Sequence, residues 1–531
     1  MSVVAVPTRK LAGAAALVAA LTVASRIAGF VRVLVFNGTV GPTRLGDAYT
    51  AANQVPNIVF ELVAGGALAS LVVPLLAGPA ARDDRRAVAA TASALLTWVV
   101  ALLVPIALLV ALFAHPLVAQ LDRRHDPQEI AAAADMLRVF APQLPLYGVG
   151  IVLTGVLQTY RRFAWPVLAP LLSSVTVVVV YVAFGLLAGR NSDLGKVSDG
   201  ELLLLSGGTT LAVAVLSLCL LIPLRPLHLP MRPTLRLHAD AITTLRPLVV
   251  AGIVTVGGQQ LCNGLAISLA SAARPGSIVI YNLAFTIFLL PWAVLALPLA
   301  TTTYPALAEA GAVGDDEQYA QTLAPAARSL LLLCCLGTAA LVALANPIAV
   351  LLAQLTAHRA DADQLTAGIA GSAPGVIGYG LFALFSRALY ARGQAYAAAV
   401  ATGLGWATAV VAALVLAAAL PVYNRVGAVA LATAIGMTVL GGGLAFVVRR
   451  KAGPDSVHGF ARTLISGVTA AGLAIAVALG VRTLFWDGTP GWGAALAQGM
   501  LCGVVVAVVF AGVAAVTDRH TLKPLLRRLK R

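Results

Sequence analysis

Charge is scarce in this sequence. Only 11% of its 531 residues are Asp, Glu, Lys or Arg, whereas 60% are hydrophobic. Soluble globular domains carry about 25% charged residues, so the composition excludes that class and predicts a polytopic membrane protein. Acidic residues are the scarcer kind, with 21 Asp and Glu against 36 Lys and Arg. Because membrane proteins hold excess Lys and Arg on the cytoplasmic side, the net charge of +15 does not indicate nucleic-acid binding.

Residue sets that support catalysis or metal binding are also missing. The five cysteines lie in apolar runs and form no CxxC pair, so we expect neither disulfides nor a metal site. The seven histidines have no ligand-like spacing, and no nucleophile–base set or nucleotide-binding loop is present. Asp361 and Asp363 resemble the acidic pair of a metal-dependent sugar transferase, although a solvated loop is the simpler interpretation. We therefore expect no enzyme, no catalytic residue, no metal and no cofactor.

Long apolar runs make up most of the chain. The first follows Arg9 and Lys10, as in a signal peptide, but it continues towards Phe36, so we interpret it as a retained first helix. Windows of about 20 apolar residues predict an all-α fold with fourteen transmembrane helices. Their approximate limits are 11–36, 47–78, 88–118, 132–160, 164–188, 202–224, 246–272, 277–308, 325–354, 366–390, 395–420, 426–448, 463–483 and 493–517.

Two short motifs recur at nearly the same offset, about 231 residues. The first is Leu-Ala-Ser/Thr followed by proline, in spans 2 and 8, and the second is Ala-Pro followed by Tyr-Gly, in spans 4 and 10. Their copies are Leu68-Ala69-Ser70 with Pro74, Leu299-Ala300-Thr301 with Pro305, Ala141-Pro142 with Tyr147-Gly148, and Ala373-Pro374 with Tyr379-Gly380. Since six spans separate the copies, both halves have one orientation. Parallel repeats of this kind are typical of transporters.

The repeat and the loop charges predict the domain organisation. We expect a six-helix lobe over 1–224, a basic cytoplasmic linker over 225–245 and a second six-helix lobe over 246–450. Two further helices within 451–517 and a basic tail over 518–531 complete the chain. With the N-terminus inside, most Lys and Arg fall on inside segments, which predicts that both termini are cytoplasmic.

Several charged and polar residues lie inside the first two spans. Arg26 and Arg32 lie in the first, and Asp47, Asn57 and Glu61 lie in the second. Each charge costs about 2.5–3.5 kcal/mol on insertion scales, so such residues usually face a cavity or a partner. Arg32 and Asp47 lie near span ends, so they could instead snorkel to the membrane surfaces.

Helix geometry places two of these residues deep in the bilayer. Span 1 ends and span 2 begins on the same side of the membrane. Arg26 and Asn57 each lie about 15 Å along their helix from that side, close to mid-membrane, and Glu61 lies one turn deeper. An Arg26–Glu61 pair across neighbouring helices is therefore within reach. Arg26 and Arg32 are separated by about 120° around an ideal helix, so they share a cavity only if it is wide or the helix bends.

Glycine and proline within the spans predict hinges. Gly29 lies between the two arginines, Pro56 precedes Asn57, and Pro291 lies in the eighth span. A proline inside a helix frees a carbonyl and permits a bend. The alternative is that membrane helices simply contain more proline than soluble ones.

The stretches SRIAGFVR, GDAYTAANQVPN and GGALASLVVP, within residues 25–74, resemble the first two spans of the MurJ (MviN) family. This family comprises lipid II flippases of the multidrug/oligosaccharidyl-lipid/polysaccharide exporter superfamily. The resemblance implies alternating-access transport of undecaprenyl-pyrophosphate-linked peptidoglycan precursor across the bacterial cytoplasmic membrane, for cell-wall biogenesis. It also implies substrate-binding roles for Arg26, Arg32 and Asp47. The expected partners are the lipid-linked precursor, membrane lipid and, as an open question, other cell-wall synthesis proteins.

The sequence also departs from the family pattern. Members commonly carry an arginine pair after the second-helix Pro-Asn, where this chain has Val59, Phe60 and Glu61, and a glutamate where it has Gly65. An eighth-helix arginine is replaced in the uncharged region around Thr286. Some members bind sodium through acidic or amide groups on helices 7, 11 and 12, but spans 11 and 12 here contain none. The sequence alone therefore leaves the cargo and the coupling ion open.

Other functions stay open at this point. The chain could export another polyprenyl-linked glycan or an amphiphile. It could also be a transport-inactive scaffold of the cell-wall machinery, which the missing arginines would favour. A membrane glycosyltransferase depends only on Asp361 and Asp363 and ranks last.

Overall fold

The structure is a computed structural model, and it describes residues 8–62, 84–235, 239–354, 361–485 and 491–522, with five single positions between 63 and 83. The regular structure of these residues is helical. The helices are α1 Thr8–Thr39, α2 Arg44–Glu61, α3 Arg85–Leu112, α4 Ala114–Leu121, α5 Pro127–Phe140, α6 Gln143–Thr159, α7 Ala164–Leu187, α8 Asp199–Leu218, α9 Leu221–Leu224, α10 Ala239–Ser271, α11 Ser277–Pro291, α12 Leu297–Val313, α13 Asp316–Ala353, α14 Asp361–Ser372, α15 Gly375–Ala391, α16 Ala395–Ala419, α17 Arg425–Ala452, α18 Phe460–Phe485 and α19 Trp492–Thr517.

Many of these helices start at a capping side chain. A side-chain oxygen of Thr43, Asp84, Asp126, Ser198 or Asp315 accepts a hydrogen bond from a backbone N–H two or three residues further on. Such caps satisfy backbone donors that the helix itself leaves free. The polar turns of the sequence therefore fix where the long apolar helices begin.

Membrane-spanning helices are confirmed as the basis of the fold. In the described part of the chain, eleven helices are long and apolar enough to cross a membrane, and the bent pair α14–α15 would make twelve. The other two expected spans correspond to α2 and α10. The described helices are thus compatible with fourteen spans, a count that stays a prediction.

The chain divides into two compact units, Met1–Val256 and Gly257–Arg531. In unit 1, α1 packs on α7, α7 on α8, α2 on α5 and α3 on α6. The Tyr49 hydroxyl lies 2.8 Å from the Tyr181 hydroxyl and 2.8 Å from Thr209 Oγ1, which joins α2, α7 and α8. These buried hydroxyls satisfy one another in an otherwise apolar interior.

In unit 2, α17 packs against α14, α15 and α16, while α18 and α19 pack on each other and on α13. Cys335, Ala339 and Ala343 of α13 form a buried apolar cluster with small residues of α18 and with Cys502 and Phe510 of α19. The last two helices are thereby an integral part of unit 2.

The two Ala-Pro motifs break their helices at matching places. Pro142 separates α5 from α6, and Pro374 separates α14 from α15 with a bend of 43°. Proline cannot donate the backbone hydrogen bond that would continue the helix, which explains both breaks. The local structure therefore repeats at the Ala-Pro motif, whereas Leu68-Ala69-Ser70 and Pro74 of the other motif lie outside the described residues.

The first part of the expected linker lies along α3. The Arg232 N–H donates to Ser93 Oγ at 3.0 Å, and the Thr234 N–H donates to Thr97 Oγ1 at 3.1 Å. Trp98 Nε1 donates to the Leu235 carbonyl at 3.1 Å. Helix α10 begins at Ala239, so the back half of the segment expected as linker is the start of a long helix.

Candidate functional site

The two arginines of α1 lie in different surroundings. Arg26 is exposed, whereas Arg32 is half-buried. The Arg32 charge acts electrostatically on the hydroxyl groups of Tyr49, Tyr147 and Tyr181. A guanidinium stays protonated and offers a planar set of hydrogen-bond donors, which phosphate oxygens accept.

Asp47 lies in the first turn of α2, after the Thr43 cap, and its side chain has no exposed surface. Arg124 Nη2 donates to Asp47 Oδ2 at 3.0 Å and to Glu129 Oε1 at 2.6 Å. Asp47 therefore joins α2 to the start of α5. In this conformation its carboxylate forms a salt bridge with Arg124. A substrate-binding role for Asp47 stays a prediction.

Arg124 lies among three acidic side chains. Besides Asp47 and Glu129, Asp122 Oδ1 lies 3.7 Å from Arg124 Nε. The side chains of Glu129, Asp122 and Arg124 are 5%, 7% and 16% exposed. Asp47 and Glu129 each occupy the first turn of a helix, where the helix dipole favours an anion. This cluster, called the Arg124 cluster below, holds the ends of α2, α4 and α5 together.

A second ion pair, Arg44 with Asp126, lies beside the cluster. Burial acts to raise the pKa of the Asp126 carboxyl, but the Glu129 backbone N–H and the Arg44 guanidinium outweigh it, so the pKa lies below its ordinary value. Asp126 therefore stays ionised at neutral pH and caps α5 as an anion.

Further along α2, Asn57 and Phe60 contact a tyrosine of α6. The Tyr147 hydroxyl donates to Asn57 Oδ1 at 3.5 Å, and the rings of Phe60 and Tyr147 are 4.4 Å apart. Glu61 is exposed, and its charge acts on the same tyrosine. Tyr147 thus links Asn57, Glu61 and Arg32 of the expected site.

The structure does not bring Arg26 and Glu61 together. Helix α1 packs mainly on α7, and α2 on α5 and α6, so the two helices are not the close neighbours that the expected pair requires. Among the described side chains, neither Arg26 nor Glu61 forms a salt bridge. The pair stays a prediction for another conformation.

The three expected hinges differ in local structure. Helix α1 continues through Gly29, and a Cβ there would meet nothing within 4 Å, so packing does not require this glycine. Pro56 is buried inside α2. At Pro291, α11 ends and a π-helical turn, Trp292–Ala296, follows, with Trp292 Nε1 donating to the Tyr379 carbonyl at 3.2 Å. Hinge motion at these positions stays a prediction.

Sequence reasoning missed Arg124, Glu129 and Tyr147. The sequence signal for the first two was the segment 122–129, in which a capping Asp-Pro places Glu129 in the first helical turn. The signal for Tyr147 was its place in the repeated motif. The Asp361–Asp363 segment, expected to be a loop, begins helix α14, and Asp363 is exposed.

Comparison with known proteins identifies the family. A family model described as "Lipid II flippase MurJ" matches residues 36–495. The curated lipid II flippase MurJ of Burkholderia cenocepacia is 27% identical over 338 residues, which cover 62% of this chain and 63% of that protein. A probable lipid II flippase MurJ of Synechocystis is 27% identical over 224 residues, covering 41% of this chain and 40% of that protein. The chain thus spans less than two thirds of the length of these curated relatives.

Solved structures show the same fold. A lipid II flippase MurJ in an inward closed conformation superposes with a TM-score of 0.76 at 18% identity, covering 94% of this chain and 98% of that one. A multidrug resistance MATE family transporter of the MOP superfamily gives 0.66 at 15% identity, covering 80% of this chain and 94% of that one. The family match over residues 36–495, together with the shared fold, shows that the protein belongs to the MurJ family, whose members are multi-pass bacterial inner-membrane proteins.

Proposed function

We propose that this protein moves the undecaprenyl-pyrophosphate-linked peptidoglycan precursor, lipid II, from the inner to the outer leaflet of the cytoplasmic membrane. The observation that carries the proposal is the family match over residues 36–495. The MurJ-like fold over 94% of the chain supports it. The protein acts as a transporter, and lipid II and membrane lipid are its partners.

The arginines of α1 supply the chemistry for a pyrophosphate cargo. Both lie before residue 36, outside the matched segment, so their assignment depends on the SRIAGFVR motif and on their surroundings. Guanidinium groups stay protonated and bind phosphate with a planar pair of donors. The exposed Arg26 meets the cargo, and the half-buried Arg32 holds it.

Acidic and amide groups complete the proposed site. Asn57, held by Tyr147, offers a further hydrogen-bond donor, and the exposed Glu61 competes with phosphate for an arginine as the transporter changes state. The transport cycle is alternating access, as the family resemblance implies. The domain limits predicted from the repeat and the cytoplasmic location of both termini belong to the same proposal.

Complementation tests this function. The wild-type chain, expressed in a bacterium depleted of its own lipid II flippase, should restore growth, normal cell shape and delivery of precursor to the outer leaflet. A variant with both Arg26 and Arg32 changed to Ala, matched for expression, serves as the transport-deficient control. Failure of the wild-type chain at normal membrane levels, with the host's own flippase gene rescuing in parallel, would contradict the proposal.

A further inference from the structure

A small, partly open cavity lies in unit 2, bordered by α10, α11, α16 and α17. Polar side chains line it at helical spacing: Gln259, Cys262 and Asn263 from α10, Tyr281 from α11, Trp406 from α16 and Thr433 from α17. Its volume is about 30 Å³, and a neighbouring cavity of about 10 Å³ shares Tyr281 and Thr433. Since one water molecule needs roughly 10–15 Å³, the space is sized for a few waters.

The wall of this cavity combines polar groups with the apolar side chains of Phe285 and Met437, and it carries no charge. Its polar groups are two carboxamides, a thiol, a phenol, a hydroxyl and an indole, and the lining residues that the structure describes include no Asp, Glu, Lys, Arg or His. The Thr433 hydroxyl donates to the Val429 carbonyl at 3.0 Å and hydrogen-bonds with Tyr281 and Cys262. With its proton used on Val429 and its oxygen on two neighbours, this hydroxyl has little capacity left for a metal ion.

Trp406 brings an unsatisfied donor into the same space. The residue is 3% exposed, and within the described chain its Nε1–H has no hydrogen-bond partner. A Cβ on Gly258 would lie 3.2 Å from Trp406 Cβ and 3.3 Å from Cδ1, so a glycine at this position lets the indole approach the α10 backbone. An unpaired buried donor costs about 1–3 kcal/mol, so we expect this N–H to have a hydrogen-bond acceptor.

We propose that this cavity is a site for ordered water and not for a cation. A water molecule accepts the Trp406 Nε1–H and donates to the amide oxygens of Gln259 and Asn263, the three bonds that a buried water typically makes. Sodium does not fit, because no carboxylate among the described lining residues offsets its charge.

The consequence concerns ion coupling. The cavity lies between the helices expected as spans 7, 8, 11 and 12, three of which hold sodium in some family members. The side chains present here do not provide such a site. We therefore expect the stability and the transport activity of this protein to be independent of sodium, whatever its cargo is.

Thermal unfolding of the full-length protein in nanodiscs tests the cation half of the proposal. The wild type should give the same Tm in NaCl, LiCl, KCl and choline chloride at equal ionic strength. Asn263→Asp places a carboxylate in the cavity, so it should lower Tm in choline chloride and regain part of the loss in NaCl. Asn424→Asp is the same change at an exposed residue, and its Tm should be the same in choline chloride and in NaCl. A sodium- or lithium-specific rise of the wild-type Tm that Thr433→Val abolishes would overturn the proposal.

Indole NMR tests the water half. The six tryptophans give separate indole N–H signals, and the signal lost in Trp406→Phe identifies Trp406. Direct cross-relaxation from water to this buried proton should be observed. Its absence, with cross-relaxation present at the exposed Trp492, would show that the cavity is dry and would overturn the water assignment.

Discussion

At the scale of single residues, the Arg124 cluster is where the described charge is most concentrated. One guanidinium serves three buried carboxylates, and two of these extend from the first turns of α2 and α5. Removing one partner from a buried ionic group leaves uncompensated charge, whereas an exposed pair contributes little. The cluster therefore stabilises the packing of α2 in a way that no surface salt bridge can.

Arg124→Gln should lower the free energy of unfolding by about 3–5 kcal/mol, because the buried Asp47 carboxylate loses its cation. Arg138→Gln breaks the exposed pair with Asp135 and should cost about 0–1 kcal/mol. Thermal and denaturant unfolding in detergent measure both. Adding Asp47→Asn to Arg124→Gln should restore part of the loss, because it removes the carboxylate that Arg124 paired with. Equal stability of the two arginine variants would contradict the role given to this cluster.

At the scale of helices, α15 and α17 approach each other through two glycines. A Cβ on Gly378 would lie 2.1 Å from the Met437 carbonyl oxygen, and a Cβ on Gly441 would lie 2.6 Å from the Gly378 carbonyl oxygen. Both obstacles are backbone atoms, so they cannot move away cheaply. Gly441, the first of three consecutive glycines in α17, is thus a site of close helix packing.

Gly441→Ala should therefore destabilise unit 2 by about 1–3 kcal/mol, since the extra methyl group forces the two helices apart. Gly442→Ala is the matched control, because a Cβ at that neighbouring position meets nothing within 4 Å. Helix propensity alone should make it neutral or stabilising by about 0.5–1 kcal/mol. Thermal unfolding compares the two variants. If Gly442→Ala proved as damaging as Gly441→Ala, the close approach would not explain the glycine.

Helices were predictable from the sequence because apolar length and capping chemistry are local. Within the described residues each expected span overlaps a helix or a helix pair, and the repeated Ala-Pro motif marked both helix breaks. Side-chain partners were not predictable, because they depend on which helices pack together. Asp47 was expected to face cargo, yet it binds Arg124, 77 residues away. Arg26 and Glu61 were expected to pair, yet their helices pack on different neighbours.

At the scale of the whole molecule, the loop charges predict which segments face the cytoplasm. On a background without the five native cysteines, Arg232→Cys and Arg519→Cys should be protected from an impermeant reagent in spheroplasts. Lys196→Cys, on an expected outside loop, should react and is the positive control. All three side chains replaced are exposed, so protection would report the membrane side and not burial. Labelling of residue 232 or 519 from outside would refute the topology.

The most direct test of the proposed transport concerns Arg26. Its exposed guanidinium is proposed to contact the pyrophosphate of lipid II. Arg26→Ala should abolish precursor translocation while leaving membrane insertion intact, because the change removes an insertion cost. Arg26→Lys should retain partial activity, because an ammonium keeps the charge without the planar pair of donors. Translocation is measured as outer-leaflet lipid II in flippase-depleted cells, with all variants at wild-type membrane levels. Normal translocation by Arg26→Ala would show that this arginine does not bind cargo and would contradict the mechanism.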